Sequence, residues 1–279
     1  MIKNIIFILI FILSNILQAQ YRVEEISING ELTADDPYEP KFGRFDPVEL
    51  YLNKGDVLSI SITADFPPFI ALVAPSEKFY VEYTKDGSTI TNYLKNITES
   101  GTWFLSIAGD STDFGKYHLI ANYMSANSIT LPRDADYCTS LKFLSEHSKT
   151  NFFFMKKAAK GGEQILWEPK INISNSLNNS IAENEKGEST YKAVMFKSEN
   201  KDSSETFHKN LTAETKDCLG TDWLSNSKDW YKLASNIMTT EEIFVVKDKE
   251  ISKYVTVRLV ESGGAMKNYE VSLELKSKK

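Results

Sequence analysis

The sequence predicts a chain of two parts, an all-β sandwich followed by an α+β domain, and three observations carry that prediction. Apolar and polar residues alternate through most of Tyr21 to Asn127. Turn residues interrupt the alternation at short intervals, as antiparallel all-β folds require. Helical periodicity starts just after Leu131-Pro132-Arg133-Asp134, which therefore reads as the linker. The expected boundaries are 1–19 for a signal peptide, 20–127 for the sandwich and 128–279 for the α+β domain.

The chain starts with a short basic segment holding Lys3, an unbroken apolar run from Ile5 to Leu13, and Leu17-Gln18-Ala19 ahead of Gln20. Such a run is too short to span the ~30 Å of a bilayer core. It fits an export signal cut after Ala19. The expectation is a secreted, periplasmic or cell-surface protein with no stable membrane insertion after signal removal.

Within the sandwich, Tyr21 to Asp46 alternates weakly and is rich in turn residues, which gives an opening hairpin. Val48, Leu50 and Leu52 alternate, Asn53-Lys54-Gly55-Asp56 turns the chain, and Leu58, Ile60 and Ile62 alternate again, which reads as antiparallel pairing. Pro67-Pro68 breaks the sheet, because proline donates nothing to a ladder. Phe69 to Val73 is continuously apolar, as expected of a strand covered on both sides, and Phe79 to Tyr83 follows it. Trp103, Leu105 and Ile107 share one strand face, and Tyr117, Leu119 and Ala121 share another. Between them, Gly109 to Asp113 is too long for a two-residue hairpin and is a loop or a crossing between sheets. The count is seven or eight short strands, which suits a sandwich.

The order of these signals resembles the bacterial pre-peptidase C-terminal domain family. The residues that carry the resemblance are Gly30-Glu31-Leu32, Phe45-Asp46 ahead of Glu49 to Leu52, Lys54 to Ile60, Ala64 to Leu72, Ser100-Gly101-Thr102-Trp103 and Gly115-Lys116-Tyr117-His118-Leu119. It covers roughly residues 23–125. Pro67 stands where the family usually has aspartate, and Trp103 where it usually has tyrosine. The resemblance implies a small non-catalytic sandwich of secreted bacterial proteins, which often trails a peptidase and sometimes binds a matrix polymer.

In the second part, Asp134 or Asp136 is positioned to cap a helix that carries Cys138, Leu141 and Phe152 on one stripe and ends by Gly161-Gly162. Strands are expected over 167–173 and 191–196, joined by a polar stretch from Ser174 to Thr190. A second helix starts at Asp202 as N-cap, has Glu205 at the capping-box position, places Phe207, Leu211 and Cys218 on one face, and closes at Leu219-Gly220. Strands over 243–246, 254–260 and 269–275 follow, the last two paired through Gly263-Gly264. The order is α-β-β-α-β-β-β, an antiparallel sheet with helices on one face.

Chemistry is sparse. The protein is mildly acidic, with 38 acidic against 32 basic residues and a formal charge of -6, and it lacks a basic run, which argues against nucleic acid. The three histidines, His118, His147 and His208, form neither HExxH nor an i, i+4 pair, and GxSxG and phosphate-loop spacings are missing. No catalytic residue, cofactor or metal ligand is assigned. Asp35, Asp36, Asp46, Asp110 and Asp113 lack the spacing of a calcium loop and read as turn carboxylates. Trp167, Trp223, Trp230, Tyr80 and Tyr83 are candidates for an exposed aromatic platform, against core packing as the plainer alternative. Cys138 and Cys218 are candidates for a disulfide, since an even count in an exported chain favours pairing over two buried thiols. The expected function is a secreted accessory or binding protein that engages a protein or an extracellular polymer, polysaccharide or matrix protein. The alternative is a secreted hydrolase with its site in residues 128–279, so whether the chain is an enzyme is left open, with non-enzyme favoured.

Overall fold

The computed structural model describes residues 21–40, 43–83, 87–160, 165–248, 251–264 and 266–278. The export signal and the Gly161-Gly162 turn lie outside them. The described chain is mostly antiparallel β with two longer helices. It divides into two compact units, one ending at Ile129 and the other starting at Thr130.

The first unit contains β1 (Val23–Leu32), β2 (Tyr38–Glu39), β3 (Gly43–Leu52), β4 (Val57–Ala64), β5 (Phe69–Val73), β6 (Phe79–Tyr83), β7 (Thr89–Asn96), β8 (Gly101–Gly109) and β9 (Gly115–Met124). They form a four-stranded sheet ordered β1-β9-β4-β7 and a five-stranded sheet ordered β2-β3-β8-β5-β6. Inner faces alternate as predicted. Leu58, Ile60, Ile62, Tyr117, Leu119 and Ala121 from one sheet meet Leu50, Leu52, Ile70, Leu72, Trp103, Leu105 and Ile107 from the other in one buried cluster. Burying apolar surface at ~25 cal/mol per Å2 is what holds two sheets together.

Two strand assignments are corrected. Asn53 to Asp56 does not close a hairpin: β3 pairs with β8, whereas β4 pairs with β7 and β9, so the turn crosses between sheets. Asp56 stabilises that crossing by accepting from the Asn53 amide at 2.9 Å. β7 was not anticipated, because its sequence TITNYLKN shows no clean apolar/polar alternation. The Gly109 to Asp113 segment is likewise a crossing, carrying the chain from β8 in one sheet to β9 in the other.

The resemblance motifs meet in space. Gly30 pairs with Tyr117 across β1 and β9. A Cβ at Gly30 would overlap the Tyr117 ring, so only glycine lets the buried ring lie flat there. The ring's hydroxyl donates to Asp46 of β3, which ties one sheet to the other.

The second unit contains α1 (Tyr137–His147), β10 (Lys156–Lys160), β11 (Ile165–Pro169), β12 (Asn178–Glu183), β13 (Ser189–Ser198), α2 (Lys201–Leu219), β14 (Leu224–Ala234), β15 (Ile237–Asp248), β16 (Ile251–Ser262) and β17 (Asn268–Lys278). Its sheet has eight strands ordered β10-β11-β12-β13-β17-β16-β15-β14. Both helices contact β16 and β17 and each other. They cover Val255, Val257, Leu259, Val271, Leu273 and Leu275, which are fully buried.

The expected α-β-β-α-β-β-β order therefore becomes α-β-β-β-β-α-β-β-β-β, and the reasons are local. The first helix stops at His147 rather than reaching Phe152, because Asn151 and Phe152 adopt left-handed backbone conformations with φ of 50° and 56°. The Phe152 ring still enters the core, 5.8 Å from Tyr191. Proline at 169 ends β11 early. The polar stretch 174–190 contains β12, which is paired along its whole length with β13. Asp136 caps α1, accepting from the Thr139 amide at 2.7 Å. The cap of α2 is Asn200 rather than Asp202: its side chain accepts from the Ser203 amide at 2.8 Å, and Asp202 falls in the first turn. The missed edge strand β14 is exposed along most of its length and carries no apolar alternation to read.

Candidate functional site

The outer face of the five-stranded sheet is set by strict alternation. Where Leu50, Trp103, Ile70 and Leu72 point inward, their neighbours point out, and the registers align these into rows. One row runs Glu49, Phe104, Val73, Phe79; the next Pro47, Ser106, Ala71, Val81; the third Phe45, Ala108, Phe69, Tyr83. Small side chains thus occupy the middle and aromatic rings the margins.

The result is a groove of about 350 Å3 floored by Ala71, Ser106 and Ala108 and walled by Phe45, Phe69 and Phe79, with Tyr38 and Glu39 of β2 closing one side. Tyr83 lies 5.2 Å from Phe69, ring to ring, and extends the wall. Four rings on this sheet are strongly exposed: Tyr38 at 52%, Tyr51 at 63%, Phe79 at 43% and Tyr83 at 60%; Phe104 at 41% joins them. Scattered surface aromatics are ordinary, but several on one face make a patch of the kind that marks an interaction site. At Gly43, φ of +71° and the abutting end of β8 at Gly109 leave no room for a side chain.

The four-stranded sheet offers the opposite surface. Its outward rows are Glu25, Asn122, Ser59, Leu94; Ser27, Ile120, Ser61; and Asn29, His118, Thr63, with Ser59 and Asn122 buried and Leu94 exposed. His118 lies 3.0 Å from the Ser27 hydroxyl on that polar face. Aromatic rings thus gather on the outer face of the five-stranded sheet, whereas the four-stranded sheet carries mostly polar side chains there and no ring but that of His118 in these rows.

The other residues singled out from sequence have mostly structural roles. Tyr80 turns inward, stacks on Trp103 at 6.1 Å and carries the Lys95 ammonium 3.1 Å from its ring centre; only Tyr83 of that pair joins the exposed patch. Trp167 donates to Glu183 at 3.0 Å, while Trp223 and Trp230 lie against Lys253 and Lys201. Asp36 accepts from the Thr33 amide and Asp113 from the Asp110 amide, so each closes its own turn. Among the described residues no three histidine, cysteine or carboxylate side chains are grouped to hold a metal ion.

In the second unit, buried His147 packs 4.7 Å from Phe143, and His208 lies 3.3 Å from the Val257 carbonyl. Burial holds the His208 imidazole below its ordinary range, outweighing the Val257 carbonyl and the nearby Glu242 and Glu205, which act upward. On the sheet face away from the helices, Glu241 accepts from Arg258 Nε at 3.0 Å and Nη2 at 2.8 Å and from Lys228 at 3.0 Å, and Arg258 also reaches Glu274 at 2.9 Å. Burial would raise the Glu241 carboxyl, but these donors prevail and leave it below its usual range. Every member of that cluster has a charge partner, which makes it a structural brace. Cys138 and Cys218 form a disulfide between α1 and α2, with Cα atoms 5.1 Å apart. No helix among the described residues is long and apolar enough to cross a membrane.

No family model and no curated protein matches the chain. Among solved structures, it aligns with PliG of Aeromonas hydrophila, a periplasmic inhibitor of g-type lysozyme, over 36% of this chain and 87% of that one, at 12% identity and a TM-score of 0.28. The Salmonella Typhimurium PliG gives 36% and 91% coverage, 12% identity and a TM-score of 0.25. Bacillus endospore appendages, which form disulfide-linked pili, give 38% and 88% coverage, 11% identity and a TM-score of 0.23. Likeness at this level carries no functional weight, so function has to come from the chain's own surface.

Proposed function

We propose that the chain is an exported, non-catalytic binding protein that docks a protein partner on the outer face of its five-stranded sheet. The observation that carries this is the gathering of Tyr51, Phe79, Tyr83 and Phe104 on one sheet while the other sheet turns Ser27, Ser61, Thr63 and His118 to solvent. Leaving large rings in water forgoes burial free energy, and a partner that covers them recovers it. A protein is favoured over a polysaccharide because the rows are filled by Phe, Val, Pro and Ala. Sugar hydroxyls pressed against them would lose water without gaining hydrogen bonds. The disulfide and the apolar Ile5 to Leu13 run support export. The convergence of Gly30, Asp46 and Tyr117 supports placing the first unit in the pre-peptidase C-terminal family, whose members this resemblance describes as non-catalytic.

The test uses full-length protein immobilised and exposed to its source's culture medium, beside two variants. Tyr51→Ser, Tyr83→Ser and Phe104→Ser together should abolish retention of a partner protein while leaving the circular dichroism spectrum unchanged, since all three side chains are exposed. Ser61→Ala with Thr63→Ala, on the polar sheet, should retain it. No retained protein, or equal retention by the aromatic variant, would refute the proposal.

A further inference from the structure

We infer that the groove between β2 and β6 receives a lysine or arginine side chain of the docked partner; this rests on the docking face proposed above and names its specificity element. The floor of Ala71, Ser106 and Ala108 offers small side chains against which methylenes can lie, and Phe45, Phe69 and Phe79 stand around it. At about 350 Å3 the groove sits at the lower end of the roughly 300–1,000 Å3 of small-molecule sites, with room for one long side chain.

Charge decides between occupants. Among the described lining residues the one ionised group is the exposed Glu39 carboxylate, and Glu49 stands at the end of a neighbouring row on the same face. An apolar stem that ends in a cation satisfies both halves of such a lining: methylenes cover the floor while the head meets ring faces and carboxylate. A neutral sugar fits less well, because only Ser106, Tyr38 and Glu39 among the lining side chains offer hydrogen bonds.

Titrating full-length protein with N-acetyl-lysine amide, N-acetyl-arginine amide, their neutral counterpart N-acetyl-norleucine amide, and cellohexaose tests this by NMR. Methyl signals of Ala71 and Ala108 should shift saturably with the lysine or arginine amide. Norleucine amide, or lysine amide with the Glu39→Gln variant, should bind roughly five- to tenfold more weakly. Equal binding of norleucine amide would make the groove a plain apolar receptor, shifts with cellohexaose would make it a saccharide site, and no shift with any probe would leave it without a ligand; each overturns the inference. If the cation fails here while the Tyr51, Tyr83 and Phe104 variant still loses its partner, the docking face stands without this specificity element. If that variant keeps its partner, the docking face itself falls.

Discussion

Reducing the Cys138–Cys218 disulfide perturbs the second unit without changing a side chain in its core. The bridge closes 80 residues of sequence separation and links the first turn of α1 to the last turn of α2. In the chain-entropy account the cross-link removes 2.1 + 1.5R ln n of unfolded-state entropy. With n equal to that separation this comes to ~15 cal/mol/K, or about 4.5 kcal/mol at 25 °C. The native contacts beside the bridge do not depend on it. The Tyr137 and Thr215 hydroxyls lie 2.7 Å apart, buried, and Thr215 also donates to the Leu211 carbonyl at 2.7 Å, so the helices stay docked when the sulfurs separate.

Urea unfolding of oxidised and reduced full-length protein measures the effect. Three of the four tryptophans, Trp167, Trp223 and Trp230, lie in the second unit and Trp103 in the first, so fluorescence resolves which transition moves. At a slope of about 2 kcal/mol per molar urea, the second unit's midpoint should fall by about 2 M on reduction. Near-UV circular dichroism without urea should stay unchanged. A loss below about 1 kcal/mol would refute the unfolded-state account. A changed native spectrum would show that the bridge, and not the Tyr137–Thr215 contact, orients the helices.

Three further outcomes are expected. Tyr117→Phe should destabilise the first unit by about 1–2 kcal/mol, read by thermal or urea unfolding, because Asp46 loses a donor that ties the two sheets. Burial first, then the hydrogen bond to Asp46, holds the Tyr117 phenol above its ordinary value. Its contribution is therefore complete below pH ~10 and is lost as pH rises beyond it, a loss that the Phe variant should not share. Arg258→Met should cost about 2–4 kcal/mol by the same measurement, since Glu241 would stay buried with Lys228 as its remaining cation, and Glu241→Gln in addition should recover part of the loss. His208, lowered by burial, favours its neutral form in the folded chain, so stability should decline as pH falls below about 6.5, at no more than about 1.4 kcal/mol per pH unit and less for a half-buried ring. A His208→Gln variant should flatten that slope between pH 5 and 6.5, and an unchanged slope would assign it to other groups.

The sandwich core was legible because both of its sheets bury one face, so period-2 alternation names Leu50, Leu52, Trp103, Leu105, Tyr117 and Leu119 directly. Pairing partners were not legible. The turn at Asn53 to Asp56 has hairpin chemistry, yet both flanking strands have better neighbours elsewhere, and no local signal records that competition. In the second unit the central strands β16 and β17 stand out because the helices cover one of their faces. β12 and β14 lie toward the sheet margins, where polar residues on both sides erase the period. The Phe152 misassignment has the same origin: its apolar side chain fits a helical stripe, and a left-handed backbone leaves no mark in the pattern.

The candidate site escaped sequence reading for a different reason. Phe69 to Val73 is apolar at every position, and a fully apolar strand implies cover on both faces. Inward, Ile70 and Leu72 have that cover in the core. Outward, Phe69 packs against the Tyr83 ring, and Ala71 lies low among larger neighbours, so both are buried. Alternation assigns residues to faces but is silent on what a face meets. The signal that would have separated a docking face from a packed one is size ordered across strands: small residues at 71, 106 and 108 with rings at 45, 69, 79 and 83 around them. That order spans four strands distant in sequence and becomes visible only once their registers are known, which is why the two tyrosines of β6 looked alike from sequence and proved to be one core ring and one surface ring.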